Sequence, residues 1–129
     1  MMENLNSPYI VIDEAEKGVA LHVFDELVNK SGYSRATIAE LIGMDVRTVS
    51  NYKKTGRNFK RTDAEHLIKL EKLFKKGQEI FGDAAEFSRW LSKPSYGLGG
   101  RVPEQLLKYI SGIDLVNREL IRIEYGDFS

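Results

Sequence analysis

The chain has 129 residues, 42% hydrophobic and 29% charged, with 19 basic and 19 acidic side chains and no cysteine. It has room for one compact domain or two small ones and would cramp a full enzyme core, since domains commonly span about 100–200 residues. The lack of cysteine excludes disulfides, thiolate catalysis and Cys-type zinc sites, and no apolar run approaches the roughly 18 residues of a membrane span. The start, MMENLNSPYI, shows no basic patch followed by an apolar run, so no secretory signal is expected and the cytoplasm is the expected compartment.

Residues 1–17 show no sustained period. SPYIVID reads as a short extended segment or a mobile arm, whose acidic end should not pack deeply. From Gly18 to Lys30, Ala20, Val23, Phe24, Leu27 and Val28 recur at three-to-four spacing, the pattern of an amphipathic helix that ends near Ser31 and Gly32. In YSRATIAELIGMDVRTVSNYKKTG, Ser34 is placed to cap a short helix holding Ile38, Ala39 and Leu41. Gly43 permits a tight turn, and Asp45 is placed to cap a second helix. Val49 and Tyr52 lie three apart and face inward, which leaves Arg47, Thr48, Ser50 and Asn51 nearer solvent. Zero net charge conceals an uneven distribution: six acidic residues and one lysine between Glu3 and Glu26, then six basic residues against Asp45 alone between Asp45 and Arg61. Local field, not net charge, governs what such a segment attracts.

The helix, turn, helix order resembles the helix-turn-helix of Xre-type (phage-repressor-like) regulators, with Ala39 at the small position, Gly43 in the turn and Val49 at the buried aliphatic position. A small residue lets the two helices cross closely, and the second helix then offers its first turns to the major groove. Carried over by position, the resemblance puts Val46, Arg47 and Asn51 at base edges, Thr48 and Ser50 beside them, and Lys53, Lys54 and Arg57 near phosphates. Arg47 suits guanine O6 and N7, and Asn51 suits adenine. Val46 departs from the usual polar residue and offers only apolar contact, for example to a thymine methyl.

From Thr62 to Phe81 a longer helix is indicated, with Leu67, Leu70, Phe74 and Phe81 at heptad-like spacing. It either closes the DNA-binding domain or supports a dimer. His22 and His66 lack partners at metal-ligand spacing and read as ordinary histidines, so no metal site is expected. Gly82 is placed to end this helix and Asp83 to cap the next, in which Phe87, Trp90 and Leu91 share an apolar face, with Trp90 a core anchor. That helix stops before Pro94. Pro103 suits a first helical position, with Leu106, Leu107 and Ile110 facing the core. After Gly112 a last helix carries Ile113, Val116, Leu120 and Ile123.

YGLGGRVPEQLL raises the question of a phosphate cradle. A dinucleotide loop needs G-x-G-x-x-G after a strand, and a P-loop ends in G-K-S or G-K-T; this stretch has G-x-G-G, no lysine and helical sequence before it. No nucleophile and base suggest themselves, and no catalytic residue or cofactor is expected.

FSRWLSKPSYGLGGRVPEQLL followed by GIDLVNRELIRIEYGDF resembles the toxin-binding domain of the Xre/MbcA/ParS family of antitoxins. The shared positions are Trp90, Leu91, Pro94, Leu98, Gly99, Gly100, Arg101, Pro103, Leu106, Leu107, Gly112, Val116, Leu120, Arg122, Ile123, Glu124, Gly126 and Phe128. Tyr109 departs from the family's small hydroxyl residue. The resemblance implies an all-helical protein: an arm (1–17), a helix-turn-helix domain (18–82) and a toxin-binding domain (83–129). It further implies an antitoxin that covers the active site of an NAD-consuming RES-domain toxin and binds its own promoter. A homodimer is expected, because such proteins usually read half-sites about 34 Å apart. The implied toxin-binding residues are Leu98, Gly99, Gly100, Arg101, Arg122, Glu124, Tyr125, Asp127 and Phe128. On this reading the glycines let backbone approach backbone, Arg101 orients the loop or an acidic neighbour, and the aromatic, acidic tail meets the toxin unless Phe128 merely caps the domain's own core. A stand-alone regulator, whose second module dimerises or senses a ligand, and a structural adaptor without DNA contact are the other readings.

Overall fold

The computed structural model describes residues 7–16 and 19–126. Among these the fold is all-α: α1 (Pro8–Glu16), α2 (Ala20–Ser31), α3 (Arg35–Leu41), α4 (Val46–Thr55), α5 (Arg61–Phe81), α6 (Ala84–Leu91), a 3-10 turn (Tyr96–Leu98), α7 (Pro103–Leu106) and α8 (Ile110–Glu124). No helix is long and apolar enough to cross a membrane among the described residues.

The helix ends follow local chemistry. Gly32 closes α2 in the left-handed conformation at φ 79°. The side chains of Ser34, Asp45 and Asp83 each accept from a backbone N–H in the first turn of α3, α4 and α6 respectively.

Two expectations are corrected. SPYIVID lies mostly in helix α1, not in an extended segment or arm; α1 packs on α5 and buries Val11. Nine residues are too few for a helix to stand in water by itself, so the surface of α5 decides the conformation and the local pattern does not. Gly112 does not precede the last helix but lies in the first turn of α8. A Cβ there would overlap the Leu106 carbonyl, so this glycine marks a close crossing, not a boundary. Of the three residues after Pro103 assigned to the core, Leu107 is fully buried, while Leu106 and Ile110 are half-buried.

One cluster runs from α2 through α3, α4 and α5 to α6 and α8, with Phe24, Leu27, Ile38, Val49, Leu67, Leu70, Leu73, Phe87, Leu91, Leu107, Ile113 and Leu120 among its buried members. At the α5–α6 contact, Phe87 meets Phe74 edge-on at 5.3 Å and stacks with Phe81 and Trp90 at 5.9 and 6.1 Å. Trp90 is half-buried as a core anchor. The Phe87 ring lies directly on the α5 backbone at Gly77, where any Cβ would strike it.

Polar links tie together segments far apart in the sequence. The Tyr33 hydroxyl donates to Glu104 Oε1 at 2.8 Å, and Gln78 Nε2 donates to the Lys30 carbonyl at 2.9 Å. Buried His66 meets the Leu107 carbonyl through Nε2 at 2.8 Å, which fixes the Nε2–H tautomer when the ring is neutral. Burial holds the His66 pKa below its ordinary value, against the raising influence of the Leu107 carbonyl.

Two outcomes follow. Gly77→Ala forces Phe87 off the α5 backbone and should cost about 1–3 kcal/mol of unfolding free energy in a urea titration, the range for overpacked cores. For His66, the unfolded chain takes up a proton as pH falls through 6.5 while the folded chain resists it. Its contribution to stability is therefore lost as pH falls. His66→Gln should flatten the acid side of the stability curve; an unchanged slope would place the titration elsewhere.

Candidate functional site

Between α3 and α4 the chain turns at Gly43, φ 73°, and the Met44 amide donates to the Ala39 carbonyl at 2.9 Å. Ala39 and Val49 are fully buried, so the small and aliphatic positions seat the two helices against the core. On α4, Arg47, Asn51 and Lys54 fall at i, i+4 and i+7, which places them on one exposed face. Exposed Thr48 and half-buried Ser50 flank them. Val46 is half-buried against the core and Lys53 turns aside toward α2, so these two are not gathered with the rest.

The cations around this face are individually placed. Asp25 on α2 accepts from Arg35 at 2.7 Å and from Lys53 at 3.3 Å, linking α2, α3 and α4. Burial works against its charge, but the two cations outweigh that and hold its carboxyl below the usual range. Arg35 also lies over the Phe24 ring at 5.0 Å, and Arg57 over the Tyr52 ring at 5.4 Å. Arg47 is bound to its own helix cap: Asp45 Oδ1 accepts from the Arg47 amide at 2.8 Å and from Nε at 3.2 Å, and Oδ2 accepts from Nη2 at 3.1 Å. Hydrogen bonding from Arg47 holds the Asp45 carboxyl below its ordinary value. The pair spans two residues of sequence, and an Asp cap followed by an Arg is a signal the sequence reading passed over.

At the other end, the loop from Ser95 to Arg101 closes on itself. The Ser95 amide donates to the Arg101 carbonyl and the Gly100 amide to the Ser95 carbonyl, both at 2.9 Å. Gly99 and Gly100 adopt φ of 67° and 80°, and a Cβ on Gly100 would meet open space. Within the fold itself their role is conformational. Close approach belongs to Gly97, pressed on the buried Glu119 carboxylate, and to Gly112. Leu98 anchors the loop against the core. The Arg101 side chain is exposed and, among the described residues, has no carboxylate against it.

Arg122 pairs with Glu119 at 3.1 Å on the side of α8 that meets the 3-10 turn, whereas Glu124 pairs with Lys76 of α5 at 3.3 Å. Two residues apart on a helix means opposite sides, so the fold does not bring these two together. Tyr125 is 81% exposed, and so is Tyr96 at 92%, which the sequence reading did not single out. Leu115 and Ile121, off the buried stripe of α8, are also exposed. Asp127 and Phe128 lie outside the described residues. Among the described residues no group of three or more His, Asp or Glu side chains could hold a metal ion.

A family model described as the antitoxin Xre-like helix-turn-helix domain matches residues 11–71, and one described as the antitoxin Xre/MbcA/ParS C-terminal toxin-binding domain matches residues 76–126. The chain is 25% identical to an Antitoxin Xre of Yersinia enterocolitica over 121 residues, 93% of this chain and 82% of that protein. It is 25% identical to an Antitoxin Xre of Photorhabdus laumondii over 112 residues, 85% and 75% of the two chains. A Sphingobium protein named Prs ADP-ribosylating antitoxin is 24% identical over 132 residues, 95% and 83% of the two. With both models matched in order, the chain belongs to the Xre/MbcA/ParS family of type II antitoxins, an Xre-like helix-turn-helix domain followed by the family's toxin-binding domain.

Proposed function

We propose that this antitoxin silences an NAD-consuming, RES-type toxin through its C-terminal half and represses its own operon in the cytoplasm, reading operator DNA with α4 as a homodimer. The observation that carries the reading is one chain holding both a toxin-binding domain and an α4 whose Arg47, Asn51 and Lys54 share an exposed face. Arg47 and Asn51 take the base edges with Thr48 and Ser50 beside them, and Lys54 and Arg57 serve phosphates; Val46, half-buried against the core, and Lys53, engaged by Asp25, lie off that face. The relative named for ADP-ribosylation supports a partner that handles NAD, since ADP-ribose is the part of NAD such chemistry transfers. Toward that partner, Leu98 fixes the loop while Gly99, Gly100 and Arg101 present it. Arg122, Glu124, Tyr125, Asp127 and Phe128 supply the end of the chain. Relatives are named antitoxins, and no catalytic role is assigned to any residue.

Co-expression of the tagged chain with its genomic neighbour tests the toxin half. A single complex in which the neighbour's NAD consumption is silent is the expected result; a lone dimer that still shifts promoter DNA would leave a stand-alone regulator. Truncation after Glu124 should release the toxin's activity, and intact inhibition would move recognition from the tail to the loop. Arg47→Ala and Asn51→Ala should each weaken promoter binding by about 1–3 kcal/mol. Affinity for DNA should fall as salt rises, and a curve flat in salt would count against phosphate contact.

A further inference from the structure

The arrangement at the start of α4 gives Asp45 more to do than cap a helix. Capping uses one oxygen, Oδ1, which accepts from the Arg47 amide. A serine or asparagine would serve that purpose as well, and Ser34 does so for α3 in the same chain. A carboxylate beside a helix that faces DNA carries a penalty, because it repels phosphate. The second oxygen, Oδ2, is absent from the cap and bonds to Arg47 Nη2.

A guanidinium has five N–H donors in a rigid plane: one on Nε and two on each Nη. Asp45 occupies the edge formed by Nε and Nη2. What is left is the end of the fork, both hydrogens of Nη1 and the second hydrogen of Nη2, on a side chain that is 89% exposed. Of these three, one hydrogen on Nη1 and the one on Nη2 lie side by side along that end, and this pair matches the spacing of O6 and N7 on the major-groove edge of guanine, a contact that needs two parallel hydrogen bonds in one plane.

On the reading of α4 as the DNA-reading helix, we propose that Asp45 is a specificity-determining positioning residue: it holds Arg47 by the Nε/Nη2 edge so that its Nη1/Nη2 end reads guanine instead of roaming to phosphates. The hold acts in two ways. It removes rotamer freedom from Arg47 before DNA arrives, so less is lost on binding. It also places a negative charge beside any phosphate that would compete for the guanidinium, so Asp45 lowers affinity for DNA of arbitrary sequence while sharpening preference for one base.

The test selects duplexes from a randomised pool with the full chain and with Asp45→Asn, Asp45→Ser and Arg47→Ala, and reads base preference at each position. Helix content of each variant is checked by circular dichroism; asparagine and serine keep the cap, so a misfolded variant is set aside in favour of the other. The wild type should show a guanine whose preference disappears in Arg47→Ala and falls about tenfold in both Asp45 variants, with other positions unchanged. Their binding to non-cognate duplex should be unchanged or tighter. Adding Asp45→Asn to Arg47→Ala should remove no further preference, since both act at one contact. If the Asp45 variants keep the guanine that Arg47→Ala loses, Asp45 is a cap and nothing more, and the proposal fails while the α4 reading stands. If Arg47→Ala also keeps every preference, Arg47 reads no base and the proposal fails with it. If the wild type selects no sequence at all, the α4 reading itself is wrong and the proposal falls with that reading.

Discussion

Helix α5 must pack against α1, α2, α6 and α8 along its 21 residues, and the rest of the structure is positioned from it. Its buried positions include Ala64, His66, Leu67, Ile68, Leu70, Leu73, Phe74 and Gly77, which together exceed the single stripe of a surface helix. The α6 side is reached only because Gly77 lacks a side chain and Phe87 can rest on bare backbone. The α2 side carries α3, which carries α4, and the α8 side carries the 3-10 turn and α7. The α4 surface is thus three contacts removed from α5 and the loop two, and the relative placement of the two is set by how rigidly α5 is held between them.

Charge at the α3–α4 face is organised by pairing more than by excess. Of the cations there, Lys53 is engaged by Asp25 and Arg47 by Asp45, while Arg35 and Arg57 lie over aromatic rings. Exposed ion pairs contribute about 0–1 kcal/mol, so these contacts do little for stability. What they change is the number of orientations a long side chain samples. A chain with 19 basic and 19 acidic residues has no net charge to draw in a polyanion. The ordering of individual cations on one helix therefore matters more than the sum of their charges.

The parts of the fold legible in the sequence are those decided within three or four residues. The caps at Ser34, Asp45 and Asp83 and the turn at Gly43 formed where the sequence placed them, because each depends on one side chain and a nearby amide. What depended on distant partners was not legible. The α1 helix forms on the surface of α5, and Gly112 is required by the Leu106 carbonyl of a different helix. The loop glycines follow the same rule: positive φ at Gly99 and Gly100 is a property of the closed loop, and Gly97 is constrained by Glu119, 22 positions away. The opposite facing of Arg122 and Glu124 was legible from their spacing alone, yet a motif written as a row of letters hides it.

The two ends meet in one further place. The Tyr33 side chain packs edge-on to Phe74 at 5.5 Å and bonds to Glu104. Burial, with Glu104 beside it, holds its phenol above the ordinary range, so it remains a neutral donor at physiological pH. Tyr33 immediately precedes the cap of α3, and Glu104 follows the loop by three residues. Leaving either partner unsatisfied in a part-buried site costs more than the bond itself contributes. With His66 and Leu107 joined nearby, the loop and the α3–α4 pair are tied at their bases while their exposed faces stay free. A partner at the loop therefore influences α4 only through contacts that differ between two states of this linked unit, or by changing how two such units are spaced. If two such chains read paired half-sites, as proposed, spacing alone is sufficient.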